Sequence, residues 1–268
     1  MTYTRNNYGT AYDYGTKEVQ LALLKLLKIF HKECIDNNII YSLSFGTLLG
    51  AIRHDGFIPW DDDADVMLSR KEFEKFIDIK QRNNEYEIER ILWIYRIKEK
   101  ASSSPATLDL FVVDNVPDNI ILRSFKICAL KVLQGTMKGR VDYAKYPFIY
   151  RICLHATYLL GLLFSDTLKY KIYNMISGIG NDKLTKYVGI YNGLFKEIAR
   201  LYSHDLMDKV MLHQFEDTEL YIVSDFDKFL TDVYGDYMKP PSLKNRKNGT
   251  YDMYCNNEHV VVSNSKHM

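Results

Sequence analysis

Four aspartates within five positions constrain the fold of this chain more than any other feature. They are Asp61, Asp62, Asp63 and Asp65. Protons or a cation must relieve the repulsion between charges packed so closely. From Asp63 to Leu68 carboxylate and apolar residues alternate, which predicts a β-strand. Side chains two residues apart on a strand share a face, so Asp63 and Asp65 are expected to point the same way and to bind Mg²⁺ or Mn²⁺, which prefer oxygen ligands.

Two other structures are compatible with such a cluster. An EF-hand calcium loop is disfavoured because Val66 stands where its sharp turn requires glycine, and because no helix is predicted upstream. A solvated acidic turn accounts for Asp61 and Asp62. It does not account for the apolar residues that alternate with the carboxylates further along the chain.

The segment before the aspartates predicts a phosphate-binding turn. A strand is expected over residues 39–44, followed by a short helix that ends at His54. Gly46 and Thr47 lie at the turn between them, where N–H groups of a helix N-terminus can bind phosphate. Arg53 can grip a phosphoryl group with two hydrogen bonds. His54 is a further candidate, although the helix dipole explains its place at a helix C-terminus better than a catalytic role does.

A third carboxylate lies in another predicted strand. The segment Thr107–Val113 is apolar apart from Thr107 and Asp109. An unpaired buried carboxylate is costly, so Asp109 requires a metal ion or a hydrogen-bonding partner. Asp109 is therefore a candidate third carboxylate for a metal site with Asp63 and Asp65, and a hydrogen-bonding partner is the alternative.

Patterning along the chain predicts an α+β fold, a mixed sheet flanked by helices with a mainly helical C-terminal portion. A helix is predicted over residues 16–37 with Thr16 as its N-cap, and the short helix that ends at His54 is expected to start at Thr47. The capping-box pattern from Ser69 to Glu72 predicts a further helix that buries Phe73, Phe76 and Ile77. Strand and helix patterns interleave up to about Asp118, and helical patterns dominate afterwards. We therefore predict a catalytic core over residues 1–118 and a helical region over residues 119–268, packed on the core and carrying a C-terminal binding loop. A length of 268 residues allows one large domain or two small ones.

Charge is balanced overall but not locally. The formal net charge is +1, which gives no global field for nucleic acid, and no nucleic-acid partner is expected. Between residues 120 and 174, however, the sequence has nine basic residues and two acidic ones. These basic helices are either an ordinary solvated surface or a contact with anionic lipid or a diphosphate substrate.

Cysteines and apolar segments predict a cytoplasmic protein, with peripheral contact at the inner face of the membrane through residues 120–174. The four cysteines form no CxxC pair, which is typical of a reduced chain. Residues 1–14 lack the apolar core of a signal peptide. The apolar stretch Phe148–Phe164 is interrupted by Arg151 and His155, so a membrane span is not predicted there.

Three sequence blocks resemble the LicD family of phosphotransferases, within the nucleotidyltransferase superfamily related to DNA polymerase beta. The first block is GTLLGAIRHDGFIPWDDDADV, which begins at Gly46. The second is LDLFVVDNVP, and the third is VYGDYMKPP over residues 233–241. They occur in the family's order. Ala64 departs from the pattern, because it replaces the usual larger aliphatic residue between the aspartates.

The resemblance implies transfer of phosphocholine, or another alcohol phosphate, from a CDP-activated donor to a glycan hydroxyl, with release of CMP. Such reactions decorate cell-surface polysaccharide, teichoic acid or lipopolysaccharide. In the superfamily pattern Gly46 and Thr47 match the residues on the donor phosphates. Asp63, Asp65 and Asp109 match the metal-binding triad, with Asp109 as the natural general base.

The resemblance also implies a donor or acceptor pocket near the third block. A choline group would need an aromatic cage, for which Trp60 is a candidate, although packing under its loop explains that residue equally well. The other pocket candidates are Tyr234, Asp236, Tyr237, Lys239 and Arg246. Two alternative functions stay open: a nucleotidyltransferase that joins NMP from an NTP to a small substrate, and a non-catalytic docking subunit.

Overall fold

The computed structural model describes residues 16–80, 86–100, 106–138, 147–242 and 246. They form an α+β fold with a mixed sheet flanked by helices, which confirms the predicted class. Two compact units are present. The first takes the described residues within 1–89, 95–112 and 205–254, and the second takes those within 90–94 and 113–204. The predicted division at residues 118–119 stays a prediction; here residues 205–242 cluster with the first unit.

Most elements of the chain belong to the first unit. They are α1 (Lys17–Asp36), β1 (Tyr41–Leu43), α2 (Phe45–His54), β2 (Ala64–Ser69), α3 (Arg70–Lys80), β3 (Tyr86–Ile91), β4 (Ile94–Glu99), β5 (Leu108–Val116), β8 (Val210–Phe215), β9 (Thr218–Val223) and α7 (Phe226–Tyr234). The strand order is β1-β2-β5-β4-β3, with β1 antiparallel to β2 and β4 antiparallel to β5. Strand β5 passes into the second unit after Val112.

Helix α1 forms where the apolar spacing predicts it. Leu23, Leu27 and Phe30 recur at helical spacing and are fully buried. Thr16 precedes the helix but does not cap it, because its hydroxyl donates a hydrogen bond to the carbonyl of Pro59 at 2.8 Å. The residue expected to cap the helix therefore holds a distant loop.

The predicted strand before α3 is β2, whose residues Ala64–Leu68 are all buried. Only one of the two hydrogen bonds of a capping box forms at Ser69. The Glu72 amide donates to the Ser69 hydroxyl at 3.4 Å, but the Glu72 carboxylate accepts from the Ile40 amide rather than from Ser69. Of the apolar residues predicted to be buried in α3, Phe73 and Phe76 are buried, while Ile77 is half-buried.

The second unit holds the predicted helices and a short strand group. Its elements are α4 (Ile120–Met137), α5 (Phe148–Gly161), α6 (Asp166–Ser177), β6 (Tyr187–Ile190), a 3-10 helix (Glu197–Ala199) and β7 (Tyr202–Ser203). The end of β5 pairs antiparallel with β6, and β6 pairs with β7. An apolar core built around Trp93, Leu130 and Tyr173 joins these elements.

Leu130→Ala tests the core of the second unit. Leu130 is fully buried, so its truncation should lower the free energy of unfolding by about 2–5 kcal/mol, as for other buried leucines. Urea unfolding followed by circular dichroism measures the loss. Val132→Ala on the same helix is the matched control, because Val132 is 39% exposed and should cost less than about 1 kcal/mol. Equal losses for the two variants would contradict this packing.

Candidate active site

Carboxylates from two strands of the first unit lie in one neighbourhood. Oxygens of Asp61, Asp62 and Asp63 lie within 4.8 Å of one another and form a group able to hold a metal ion. Burial raises the pKa of Asp65, and repulsion from Asp63 and Asp109 raises it further. Asp63, Asp65 and Asp109 thus interact electrostatically, whereas the described carboxylates whose oxygens lie within 4.8 Å of one another are Asp61, Asp62 and Asp63. The role of Asp63, Asp65 and Asp109 as metal ligands stays a prediction.

Asp61 belongs to this group, which the sequence analysis missed by assigning it to a solvated turn. Burial raises its pKa, and repulsion from Asp63 together with a hydrogen bond to Asp63 adds to the effect. A Cβ atom placed on Gly46 would lie 2.8 Å from Asp61 Oδ2 and 3.8 Å from Asp65 Oδ2. A side chain at position 46 would therefore displace the Asp61 carboxylate, while Asp65 lies at an ordinary contact distance. Asp61 also has the same alternating spacing that singled out Asp63 and Asp65.

Arg96 is the partner that the sequence analysis required for Asp109 but could not name. The two residues lie directly opposite each other on β4 and β5. Arg96 Nε donates to Asp109 Oδ1 at 2.7 Å, and Nη2 donates to Oδ2 at 3.2 Å. Both residues are buried, so the pair is shielded from water. Burial raises the pKa of Asp109 to about 6, although Arg96 opposes the shift.

The start of α2 is fastened to the start of β2 by backbone hydrogen bonds. The Ser44 amide donates to the Asp65 carbonyl at 3.0 Å, and the Asp65 amide donates to the Thr47 hydroxyl at 2.8 Å. Thr47 therefore positions Asp65. Gly46 and Thr47 lie in the first turn of α2, which begins at Phe45, two residues earlier than predicted.

Phe45 shows what holds this turn in place. Its φ of 41° is in the left-handed region, which is unfavourable for a residue with a side chain. The Phe45 ring packs edge-on against Phe111 of β5, with centroids 4.8 Å apart, and at 5.7 Å from Phe229 of α7. Aromatic packing thus offsets the backbone strain and fixes the turn beside the carboxylates.

Arg53 and His54 connect α2 to the third sequence block. Arg53 Nε donates to His54 Nε2 at 3.0 Å, and Arg53 Nη1 donates to the Tyr237 carbonyl at 2.8 Å. Both side chains are buried. The described contacts thus assign them to holding the C-terminal loop, while phosphate binding by either stays a prediction.

The residues predicted for the pocket lie in three different environments. Trp60 is buried, and the Arg246 guanidinium lies 4.7 Å from the centre of its ring. Tyr237 donates a hydrogen bond to Asp227 at 2.6 Å, and burial followed by this contact raises the pKa of Tyr237 to about 12. The remaining three are exposed: Tyr234 is the last residue of α7, and Asp236 and Lys239 follow it.

Two distant residues support the loop that carries Asp61. Gln20 of α1 donates to the carbonyls of Ile58 at 3.0 Å and Asp61 at 2.8 Å. Glu216, in the turn between β8 and β9, accepts from the Phe57 amide at 3.1 Å. No local sequence pattern identified either residue, because each acts through a contact distant in sequence.

This constellation matches a known class of protein. Residues 38–112, which contain the aspartates and Arg96, match the family described as "LicD/FKTN/FKRP, nucleotidyltransferase domain". The chain is 30% identical over 258 residues to the lipopolysaccharide cholinephosphotransferase LicD of Haemophilus influenzae, covering 86% of this chain and 94% of that protein. It is also 52% identical over 46 residues to uncharacterised proteins of Rickettsia prowazekii and Rickettsia typhi.

The chain belongs to the LicD family, and it is a LicD-type phosphotransferase. The likeness to the Haemophilus protein extends over nearly all of that protein, so it includes both compact units. The shorter matches to the rickettsial proteins cover 17% of this chain.

Arg96→Met tests the buried ion pair. Asp109 has a raised pKa in the folded chain, so it holds a proton there that the unfolded chain releases. The free energy of unfolding therefore falls as the pH rises from the pKa of the unfolded chain to that of the folded chain. Loss of Arg96 should raise the pKa of Asp109 above its value of about 6. The substitution should therefore cost about 3–5 kcal/mol near pH 8, and less near pH 5, in urea unfolding with EDTA present.

Lys98→Met on the same strand is the control for Arg96→Met. Lys98 pairs with Glu87 and Glu89 at the surface, and its side chain is 38% exposed. Its loss should cost less than about 1 kcal/mol at both pH values. A cost for Arg96→Met that does not grow with pH would contradict the role assigned to the pair.

Proposed function

We propose that this protein transfers phosphocholine, or a related alcohol phosphate, from a CDP-activated donor to a hydroxyl of lipopolysaccharide or another cell-surface glycan. The observation that carries the proposal is the group of Asp61, Asp62 and Asp63 beside the first turn of α2, with Asp65 and Asp109 near enough to Asp63 for repulsion to raise their pKa values. The likeness to a lipopolysaccharide cholinephosphotransferase over most of both chains supports the choice of reaction.

The carboxylates suit a divalent ion. Asp61, Asp62 and Asp63 place oxygens within 4.8 Å of one another. Burial and repulsion between carboxylates raise the pKa values of Asp61, Asp65 and Asp109, so a cation beside them would be stabilised. An oxygen-only donor set favours Mg²⁺ or Mn²⁺. We assign Asp63, Asp65 and Asp109 as ligands, with Asp61 as a further ligand or neighbour. When bound, the ion would neutralise charge on the donor diphosphate.

The proposed reaction is an in-line displacement at phosphorus. The acceptor hydroxyl oxygen forms a bond to the phosphorus of the alcohol phosphate, the bond from that phosphorus to the bridging oxygen breaks, and CMP leaves with the electron pair. The hydroxyl proton passes to a base. Because Arg96 occupies one lone pair on each Asp109 oxygen, we assign Asp109 to holding the ion rather than to taking this proton.

Protein groups around the carboxylates would position the donor. We assign Gly46 and Thr47, in the first turn of α2, to the donor diphosphate. The Gly46 amide donates to Asp65, so a phosphate bound there would replace that carboxylate as the acceptor. Arg53 and His54 hold the loop that follows α7, so they would act on the pocket through Tyr237. Trp60 offers an aromatic face on which Arg246 already places a cation, a contact compatible with binding of a quaternary ammonium group.

Asp65→Asn tests the reaction directly. Full-length protein is incubated with CDP-choline, Mg²⁺ and lipopolysaccharide from a strain that lacks phosphocholine, and CMP is measured by chromatography. Loss of one charge from the metal site should reduce CMP formation by about 100-fold or more. Asp118→Asn, an exposed carboxylate, is the control and should leave the rate unchanged.

The products separate this function from the alternatives. Pyrophosphate formed from an NTP, without CMP from CDP-choline, would identify a nucleotidyltransferase. Failure to bind Mn²⁺ in calorimetry, with no product from a panel of CDP-alcohols, would favour the non-catalytic docking subunit. Activity that survives both EDTA and the Asp65→Asn substitution would contradict the proposed site.

Gly46→Ala tests the contact between α2 and Asp61. The added methyl group would meet the end of the Asp61 side chain, which can move, so stability should change by less than about 1 kcal/mol. Transfer should fall by about 10–100-fold because a group supporting the site is displaced. If the effect acts through Asp61, adding Gly46→Ala to Asp61→Asn should cost little more than Asp61→Asn alone. Additive losses would show that it acts elsewhere.

A further inference from the structure

Helix α5 exposes an unusual amount of apolar surface. Of its fourteen residues only Gly161 is buried. Phe148 and Ile149 are each 73% exposed, and in the turn that follows the helix Leu163 is 74% exposed. We define the α5 surface by its exposed large apolar side chains, which are Phe148, Ile149, Ile152, Leu159, Leu160, Leu162, Leu163 and Phe164. A patch of this kind marks an interaction site.

Helix α5 is attached to its neighbour through small residues. A Cβ atom on Gly161 would collide with the Thr136 carbonyl of α4, and one on Gly135 would lie 2.7 Å from the Thr157 hydroxyl. Close approach at glycine and threonine is typical of helices that pack in lipid, where no hydrophobic force drives large side chains into the contact. The large apolar side chains of α5 are thus left for a partner outside the helix pair.

The sequence around α5 has a basic excess that favours an anionic partner. From residue 120 to residue 164 it has seven Lys and Arg and one acidic residue, Asp142; of the seven, Lys126 is buried and donates to backbone carbonyls. Arg151 is exposed within α5 itself. Apolar side chains combined with basic ones are the composition of a helix that lies in the interface of a membrane with anionic lipids.

Length excludes a simple span by one helix. Among the described residues no single helix is long and apolar enough to cross a membrane. Helices α5 and α6 together meet the length and composition criteria, but they are bent by 114° at the break between them. An apolar helix followed by a sharp bend suits an arrangement parallel to the membrane plane better than one across it.

We propose that α5 and the turn after it, residues 148–164, insert into the interfacial layer of a membrane that contains anionic lipids. The apolar side chains enter the acyl boundary while basic groups meet lipid phosphates. This localises the chain at a membrane surface without a spanning helix among the described residues. The inference stands apart from the proposed transfer reaction, because it concerns lipid rather than donor or acceptor.

A second copy of this chain is the competing occupant. The basic excess argues against it, because two copies joined through the same surface would bring like charges together. Dimerisation through α5 is therefore an outcome to be tested, and lipid is the partner that the charges favour.

Vesicle sedimentation of the full chain tests the proposal. The probes are vesicles of phosphatidylcholine alone and of phosphatidylcholine mixed with phosphatidylglycerol, neither of which contains a glycan acceptor. The wild-type chain should sediment with the anionic vesicles, less so with the neutral ones, and more weakly at high salt. The variant Ile149→Glu/Leu163→Glu should lower the partition coefficient by about tenfold or more, because two apolar contacts become anionic.

The control variant is Leu21→Glu/Leu212→Glu, which changes exposed leucines of the first unit and should sediment as the wild type does. Both variants should keep the wild-type circular dichroism spectrum and transfer activity on a water-soluble glycan. Loss of transfer with retained vesicle binding would contradict the proposed function alone. Wild-type protein that stays in the supernatant, or equal sedimentation of the two variants, would overturn membrane docking.

A second measurement covers the case in which the glutamate variant fails to fold. Leu163→Trp places an indole on the α5 surface, and vesicles with brominated acyl chains should quench its fluorescence beyond the quenching seen in the wild-type chain. Absence of that extra quenching would overturn the proposal. A dimer detected by light scattering that becomes monomeric in Ile149→Glu/Leu163→Glu, without vesicle binding, would assign the surface to a second copy instead.

Discussion

Repulsion between buried carboxylates is the constraint around which the first unit is organised. Asp61, Asp65 and Asp109 all have raised pKa values because burial disfavours their charged forms and neighbouring aspartates add to the effect. Arg96 offsets part of the charge at Asp109, and the Gly46 amide donates to Asp65. The remaining negative charge makes this place suitable for a cation and unsuitable for ordinary packing.

Holding such groups together requires support from several parts of the chain. The first turn of α2 is tied to β2 through Thr47, and the loop that carries Asp61 is held by Gln20 on one side and Glu216 on the other. Each support uses a hydrogen bond to the backbone, which fixes the position of a carboxylate without changing its charge. This arrangement explains why residues 205–242 cluster with the first unit.

Local sequence patterns predicted the helices and strands whose formation depends on residues close together in the sequence. The apolar spacing in α1 was sufficient because it records which face of the helix is buried. The alternation of carboxylate and apolar residues predicted the strand β2, although residues Ala64–Leu68 are all buried rather than one face alone. The cost of burying Asp109 predicted that a partner exists, but not that it is Arg96, because strand register depends on pairings distant in sequence. Asp61 was not predicted as part of the site, because the alternation of carboxylate and apolar residues was followed only from Asp63 onward. No local sequence pattern identifies Gln20 or Glu216, because their contacts are with residues distant in sequence.

The contacts of Gln20, Glu216 and Tyr237 have a consequence for how the domain is delimited. The family match extends over residues 38–112, yet these three residues lie outside it and fasten its loops and helix. A fragment cut at the limits of similarity would carry the aspartates but lose the hydrogen bonds that hold their loop. In this protein the segment that the family match covers is therefore smaller than the segment needed to hold the aspartates in position, and the likeness to the Haemophilus protein extends well beyond it.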